Sequence, residues 1–495
     1  MRTDKKTKIV ATLSSLRADE ALIRRLYDAG MDVVRINSAH ATLEDAARIV
    51  GAVHRVDPSI PVLLDTKGPE IRVTAIDAAC GEAIEFRAGD RVAVCGTADG
   101  EPTTRETIRL NVPGIVRDIE PGARLLIADG ELELLVERKS AEVLHCRFLR
   151  GGVLRSRKSV NVPGVRIDLP PLTEKDRRFI EWAVGGGVDF IAHSFVRSAA
   201  DVRAVQEILD RHRSPIKIIS KIENREGLDH LDEIVEASYG VMVARGDLGV
   251  ELPAEQIPGA QRRIVERCIA AKRPVIIATQ MLYSMVRSPR PTRAEVSDVA
   301  GAIYERVDAV MLSDETAAGD YPVEAVETMA RVAREVERDE ERFPPLIDMN
   351  MVSVEHEVTA QLARSAVRAS VNLPIRWVVL DTLTGRTGRY LAAFRGRRPV
   401  VAVCYSLHAQ RILALSYGVV PVLREQQACA RYEDRFRFVS EAIGLLRERE
   451  AVVESDLVAV VGGSFGSRHG ASYLEISTVE RLCAREEGLR PEDKQ

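Results

Sequence analysis

Runs of four to six apolar residues recur along the chain, each ending in a polar cluster and followed by a segment of helical period. "KIVATLS" (8–14) leads into "ADEALIRRLYDAG", and "DVVRINSAH" (32–40) leads into "TLEDAARIVGAV". "PVLLDTKGPE" (61–70) interrupts the rhythm, which returns at "DFIAHSFV" (189–196), "IKIISKIEN" (216–224), "GVMVARGDLG" (240–249), "PVIIATQM" (274–281) and "AVMLSDET" (309–316). Continuous apolar strands alternating with amphipathic helices predict a parallel sheet covered by helices. Eight units are the number that a (β/α)8 TIM barrel needs, and a doubly wound open sheet is the other architecture the pattern allows. In such a barrel the polar residues at strand C-termini line the active-site face.

About a hundred residues after the third unit have a different texture. "GEAIEFRAGDRVAVCG", "ARLLIADGELELLVERK" and "AEVLHCRFLRGGVLRSRKSVNVPG" alternate with period two between Gly and Asp-Gly, which is β-hairpin chemistry. An all-β insert at this point of a barrel sits over the active-site mouth, as a lid. After the eighth unit a helical stretch runs into Pro-Pro, and α/β alternation resumes. The expected division is a barrel from 1–70 and 168–345, a β-rich lid at 71–167 and a C-terminal α/β domain at 346–495.

Composition narrows the function. The 495 residues carry 70 Lys and Arg against 74 Asp and Glu, a net −4, which argues against nucleic acid as the main partner. No apolar stretch approaches the length of a membrane helix, and the basic N-terminus lacks the apolar run of a signal peptide. The seven scattered cysteines show no metal spacing and read as reduced thiols, so the expected location is the cytoplasm.

The strand ends carry the candidate chemistry. In a strand, residues i and i+2 share a side, so Lys221 and Glu223 project together, with Asp247 of "ARGDLG" at the next strand end. Two carboxylates from adjacent strand ends suit Mg²⁺, which takes few protein ligands and fills its shell with phosphate oxygens and water. A lysine beside such a metal stabilises charge on a transferring phosphoryl group. Arg35 and Asn37 share a side of the second strand, and a guanidinium fork suits phosphate. Asp65, Thr66, Lys67, Glu70 and Arg72 follow the third strand, Thr279 ends the seventh, and Ser313, Asp314 and Glu315 end the eighth. A site mixing these cations and carboxylates fits a phosphorylated substrate bound through a metal better than an acid–base hydrolase.

"LLDTKGPEIR", "SKIENREG", "VMVARGDLGVELP", "IIATQML", "SPRPTRAEVSDVA" and "VMLSDETAAGDYP", in this order, closely resemble pyruvate kinase. The resemblance implies phosphoryl transfer from phosphoenolpyruvate to ADP in glycolysis, on a barrel with a lid and a C-terminal domain. It implies that Lys221 contacts the phosphoryl group and that Glu223 and Asp247 hold Mg²⁺ or Mn²⁺. Arg35 would hold the phosphate, with Thr279 and the backbone of Ala244, Arg245 and Gly246 at the carboxylate end. Asn37, His40, Arg72 and Lys158 match the nucleotide side. A K⁺ site would use Asn37, Asp65 and Thr66, but "RINSAH" places Ala39 where the family has a serine ligand. Ser38, one residue away, points to the other side of its strand. "ATLSSLR" stands where the family has roughly "CTIGPAS". "TLTGRTG" (382–388) offers Thr382, Thr384, Gly385, Arg386 and Thr387 as a cradle for a phosphorylated effector. A homotetramer is implied as well.

Two other classes remain beside the active enzyme: a silent relative that senses a phosphometabolite, and another barrel enzyme acting on pyruvate or phosphoenolpyruvate. Silent relatives usually lose a metal carboxylate or the lysine, both present here. An aldolase or lyase would need neither a lid carrying Lys158 nor Arg72. The proton donor to the enolate stays open between Thr279 and water near Ser313 and Glu315.

Overall fold

Eight parallel strands close on themselves: β1 (Lys8–Leu13), β2 (Val33–Asn37), β3 (Val62–Asp65), β4 (Phe190–His193), β5 (Lys217–Ile222), β6 (Gly240–Ala244), β7 (Val275–Ala278) and β8 (Ala309–Leu312), with β8 pairing back onto β1. The computed structural model describes residues 5–340, 351–352, 354, 357–424, 437–463 and 470–487. The open doubly wound alternative is therefore excluded. The strands are buried on both faces, one against the barrel interior and one against the helices, so apart from polar residues towards their ends their sequences are runs of apolar residues rather than alternating ones.

Inside the barrel, Val10, Val33, Leu63, Phe190, Ile219, Met242, Ile276 and Ala309 pack together with Ala192, Ala278 and Met311. Ile412 and Leu415, from the C-terminal region, join this cluster. Period two then places the next inward residues nearer the C-terminal mouth: Thr12 after Val10, Arg35 after Val33, Asp65 after Leu63 and Lys221 after Ile219. The polar groups of the mouth therefore stand on a packed apolar layer.

The segment between β3 and β4 forms its own core, with Phe86 stacked on Phe148 at 4.5 Å. It is β-rich apart from short helical turns such as Ile115–Asp118. Its six-stranded sheet runs Val160–Asn161, Arg124–Ile127, Leu132–Lys139, Leu144–Arg150, Arg91–Gly96 and Thr107–Leu110. Only one of the three stretches read as hairpins behaves as one. In "ARLLIADGELELLVERK" the left-handed Ala128, Asp129 and Gly130 (φ 54°, 54° and 88°) turn one strand onto the next. The stretches containing Ala83–Phe86 and Arg91–Gly96, and Leu144–Arg150 and Gly152–Arg155, do not pair internally. Ala83–Phe86 pairs with Gly152–Arg155, and Arg91–Gly96 runs parallel to Thr107–Leu110. Turn signals show where a strand ends, not which partner it takes.

The C-terminal region holds a five-stranded sheet ordered Val419–Leu423, Val400–Cys404, Ile375–Thr382, Leu457–Gly463 and Ala471–Thr478, with only the last strand antiparallel. A buried ion pair joins it to the barrel floor: the Arg395 guanidinium donates to both Asp308 oxygens, at 2.9 and 2.5 Å. Among the described residues no helix is long and apolar enough to cross a membrane, and Cys80, Cys95, Cys146, Cys268, Cys404 and Cys483 are free thiols.

Candidate active site

Lys221 stands at the end of β5 and donates to three neighbours. Its ammonium lies 2.9 Å from Glu223 Oε1, 3.1 Å from Asp65 Oδ1 and 2.8 Å from Ser194 Oγ. Asp65 also accepts from Arg35 Nε at 2.7 Å, and the Arg35 Nη1 donates to Thr12 Oγ1 at 3.0 Å. Four strands thus contribute to one network, β1, β2, β3 and β5, with Ser194 just past β4. Burial alone would lower the Lys221 pKa, but Asp65 and Glu223 outweigh it and hold the ammonium above the usual lysine range. Burial would likewise raise Asp65, and Lys221 and Arg35 instead hold it below the usual carboxylate range.

Glu223 and Asp247 are the opposite case. Burial pushes Glu223 up to about 7, with Lys221 pulling down and Asp247 and Asp65 adding to the rise. Burial also raises Asp247, against Lys221 and with Asp129, Glu70 and Asp65. Glu223 is oriented by the backbone: Phe195, held at φ 55°, donates its N–H to Glu223 Oε2 at 2.6 Å. Among the described residues no hydrogen-bond donor reaches the Asp247 carboxylate. Two cations, Arg35 and Lys221, face three carboxylates, Asp65, Glu223 and Asp247. The excess negative charge sits on the pair whose ionised forms are disfavoured, which is the donor set a divalent cation relieves. No group of three or more His, Cys, Asp or Glu side chains suited to a metal occurs among the described residues. Two protein carboxylates leave room for substrate oxygens.

Thr279 follows β7 at φ 68°, with Gln280 at 54°. A left-handed β-branched residue is a strained outlier, and such residues concentrate at functional sites. Its Oγ1 accepts from Gly246 N at 2.8 Å and donates to Ala278 O at 2.7 Å, tying it to the "ARGD" turn. Arg35, Asn37, Ala39, His40, Asp65, Thr66, Arg72, Lys221, Glu223, Ala244, Asp247 and Thr279 all line one cavity of about 170 Å³.

Other expected residues stand differently. Lys158 does not line this cavity, although its carbonyl accepts from Val73 N at 2.9 Å. Arg72 lines it but is clamped onto Glu70 by two hydrogen bonds, of 2.8 and 3.0 Å. Ala39 offers no side-chain oxygen, and its N–H donates to Asn37 Oδ1 at 3.1 Å. Ser38 Oγ is buried without a hydrogen-bond partner. Glu315 accepts from Leu282 N at 3.1 Å and Ser313 N at 2.7 Å, so its carboxylate is engaged by backbone. In "TLTGRTG", Thr382 Oγ1 accepts from Gly385 N at 2.9 Å, and Arg386 is paired with Glu357 at 2.9 Å. Thr387 is buried and Thr384 exposed. Most of the loop at 462–472 lies outside the described residues.

Thr12 and Ser194 were not anticipated from sequence. The period-two rule that selected Arg35 and Lys221 applies to them equally: each lies two residues beyond an inward apolar residue, Val10 and Ala192.

Residues 4–326 match the family model described as pyruvate kinase, barrel domain, and residues 360–477 match pyruvate kinase, alpha/beta domain. A pyruvate kinase of Borreliella burgdorferi is 42% identical over 479 residues, 96% of this chain and 98% of that protein. One from Geobacillus stearothermophilus is 38% identical over 494 residues, covering 98% and 82%. One from Staphylococcus aureus strain MRSA252 is 37% identical over 493 residues, covering 98% and 82%. The chain belongs to the pyruvate kinase family, the phosphotransferases that move a phosphoryl group from phosphoenolpyruvate to ADP in glycolysis, giving pyruvate and ATP.

Proposed function

We propose that the barrel mouth carries out this transfer through the residues that surround its cavity. The observation that carries the assignment is the meeting of Lys221, Arg35, Asp65, Glu223 and Asp247 at one strand-end face. Glu223 and Asp247 hold the divalent metal, Mg²⁺ or Mn²⁺, since they are the two carboxylates whose charge the protein leaves least compensated. That ion supplies neutralisation of phosphate oxygens. Lys221, kept protonated by Asp65 and Glu223, faces the transferring group and stabilises its negative charge. Arg35 holds the phosphate through its fork while Asp65 fixes the angle of that fork. Thr279 and the backbone of Ala244, Arg245 and Gly246 receive the substrate carboxylate. Departure of the phosphoryl group leaves an enolate, whose methylene carbon takes a proton from Thr279 or from water near Ser313 and Glu315.

Asn37, His40 and Arg72 face the nucleotide, and Lys158 joins them when the lid moves inward. K⁺ is held by Asn37, Asp65 and Thr66, and at Ala39 water takes the place of a serine oxygen. The barrel comprises 1–70 and 168–345, the lid 71–167 and the C-terminal domain 346–495. Thr382, Thr384, Gly385, Arg386 and Thr387 form the contact for a phosphorylated effector. The enzyme acts as a cytoplasmic homotetramer on small molecules. The deciding experiment is a coupled assay of pyruvate release from phosphoenolpyruvate and ADP with Mg²⁺, run with and without K⁺. Absence of Mg²⁺-dependent pyruvate release would refute the reading.

A further inference from the structure

We infer that Asp176 is a positioning residue that sets the angle of the insert over the barrel, and through it the capture of the nucleotide. The inference rests on the phosphotransferase reading of the mouth. Asp176 lies in the first turn of the helix Glu174–Ala183 and is wholly buried. Its Oδ2 accepts from Thr173 N at 3.0 Å and Thr173 Oγ1 at 2.6 Å, and Thr173 Oγ1 accepts from Asp176 N at 3.1 Å, closing a capping box. A capping box needs no more than this.

The second oxygen goes elsewhere. Asp176 Oδ1 accepts from Lys67 N at 2.9 Å and from Gly68 N at 3.4 Å. Lys67 and Gly68 carry the chain out of β3 into the insert, and Thr173 to Asp176 lie where it has returned. One carboxylate therefore ties the outgoing and returning strands together.

The outgoing strand also rests on the catalytic network. Gly68 has φ 73°, and a Cβ there would fall 2.6 Å from the Phe195 ring and 2.9 Å from Ser194 Cβ. Phe195 N holds Glu223, and Ser194 Oγ holds Lys221. Around this crossing the packing is open. A cavity of about 320 Å³ borders Pro69 and Glu70 beside Asn161 and Glu251, and one of about 370 Å³ borders the same two residues beside Arg117 and Thr173. The cavities border Pro69 and Glu70, so beyond Gly68 the segment is loosely packed, and what fixes it is the Asp176 hydrogen bonds together with the close approach of Gly68 to Phe195 and Ser194.

The test compares Asp176→Asn, which turns a carboxylate oxygen into a donor facing donors, with Thr173→Ala, which removes only the cap. Asp176→Asn is expected to raise the KM for ADP about 10-fold, leave the dissociation constant of phosphoenolpyruvate with Mg²⁺ unchanged, and speed hydrogen exchange of the 66–72 peptide about 10-fold. Thr173→Ala is expected to lower Tm with KM unchanged. Gly68→Ala, which pushes the same strand off Phe195 while Asp176 stays, provides a second route and is expected to raise the KM for ADP similarly. Unchanged exchange in Asp176→Asn overturns the inference whether or not the wild type turns over, whereas an inactive wild type overturns only the reading of the mouth. An equal KM for ADP in Asp176→Asn and Thr173→Ala also overturns it. Should Asp176→Asn not fold, a wild-type KM in Gly68→Ala does the same.

Discussion

The Lys221 ammonium stands 2.9 Å from the Glu223 carboxylate two residues along the same chain, and the pair is not an isolated one. Asp65 and Ser194 share the ammonium, while Glu223 is pushed up to about 7, by burial first and by Asp247 and Asp65. Lys221 pulls Glu223 down, and burial with the two neighbouring acids outweighs it. A further cation beside this acid would relieve what burial imposes.

Removing the ammonium leaves Asp65 and Glu223 without their shared counter-charge. Lys221→Met is expected to lower kcat by about 10³-fold or more while phosphoenolpyruvate still binds, because the lost interaction strengthens as the phosphoryl group transfers. Steady-state kinetics together with a binding titration check this; near-normal turnover would end the assigned role.

Ser194 Oγ accepts from Lys221 and donates to Thr66 O at 2.7 Å, so it aims the amine without touching its charge. Ser194→Ala is expected to reduce kcat about 10-fold, roughly the worth of one hydrogen bond to a charged group, with little change in the KM for phosphoenolpyruvate. A drop confined to KM would place Ser194 in substrate binding instead.

Ala39 lies where a serine oxygen would face the proposed K⁺ site. Ala39→Ser is expected to shift half-maximal activation to lower K⁺, and a titration identical to wild type would count against that position.

His193, at the end of β4, is fully buried, and neither ring nitrogen has a partner. Burial pushes it down to about 4, and burial likewise holds His54 and His408 near 4. With a folded pKa below the unfolded value, the native state binds fewer protons. The stability gained is complete above about pH 6.5 and lost as pH falls towards 4. Tm is expected to decline across that window, and less steeply in His193→Asn. Equal slopes in calorimetric scans would exclude His193 as a source.

Arg395 and Asp308 are almost entirely shielded from solvent, and Asp308 also accepts from Tyr417 N at 2.9 Å and Val275 N at 3.0 Å. Arg395→Met leaves a buried carboxylate short of its counter-charge and is expected to cost about 3–5 kcal/mol, read by denaturant unfolding. The double variant with Asp308→Asn should recover part of that loss. A single variant as stable as wild type would show that the joint between barrel and C-terminal sheet lies elsewhere.

What the sequence determined by itself was whatever depends on local periodicity. Strands buried on both faces must be apolar along most of their length, so eight such runs announced the barrel. A period of two put Arg35, Lys221 and Glu223 at its mouth, and would have placed Thr12 and Ser194 there too. Which groups meet was decided only by the tertiary structure. The pairing of Ala83–Phe86 with Gly152–Arg155, the capture of Arg386 by Glu357, and the reach of Asp176 to Lys67 all join partners whose contact no local pattern encodes. A hydrogen bond depends on the approach of two particular atoms to about 3 Å, and closure of the fold sets that approach.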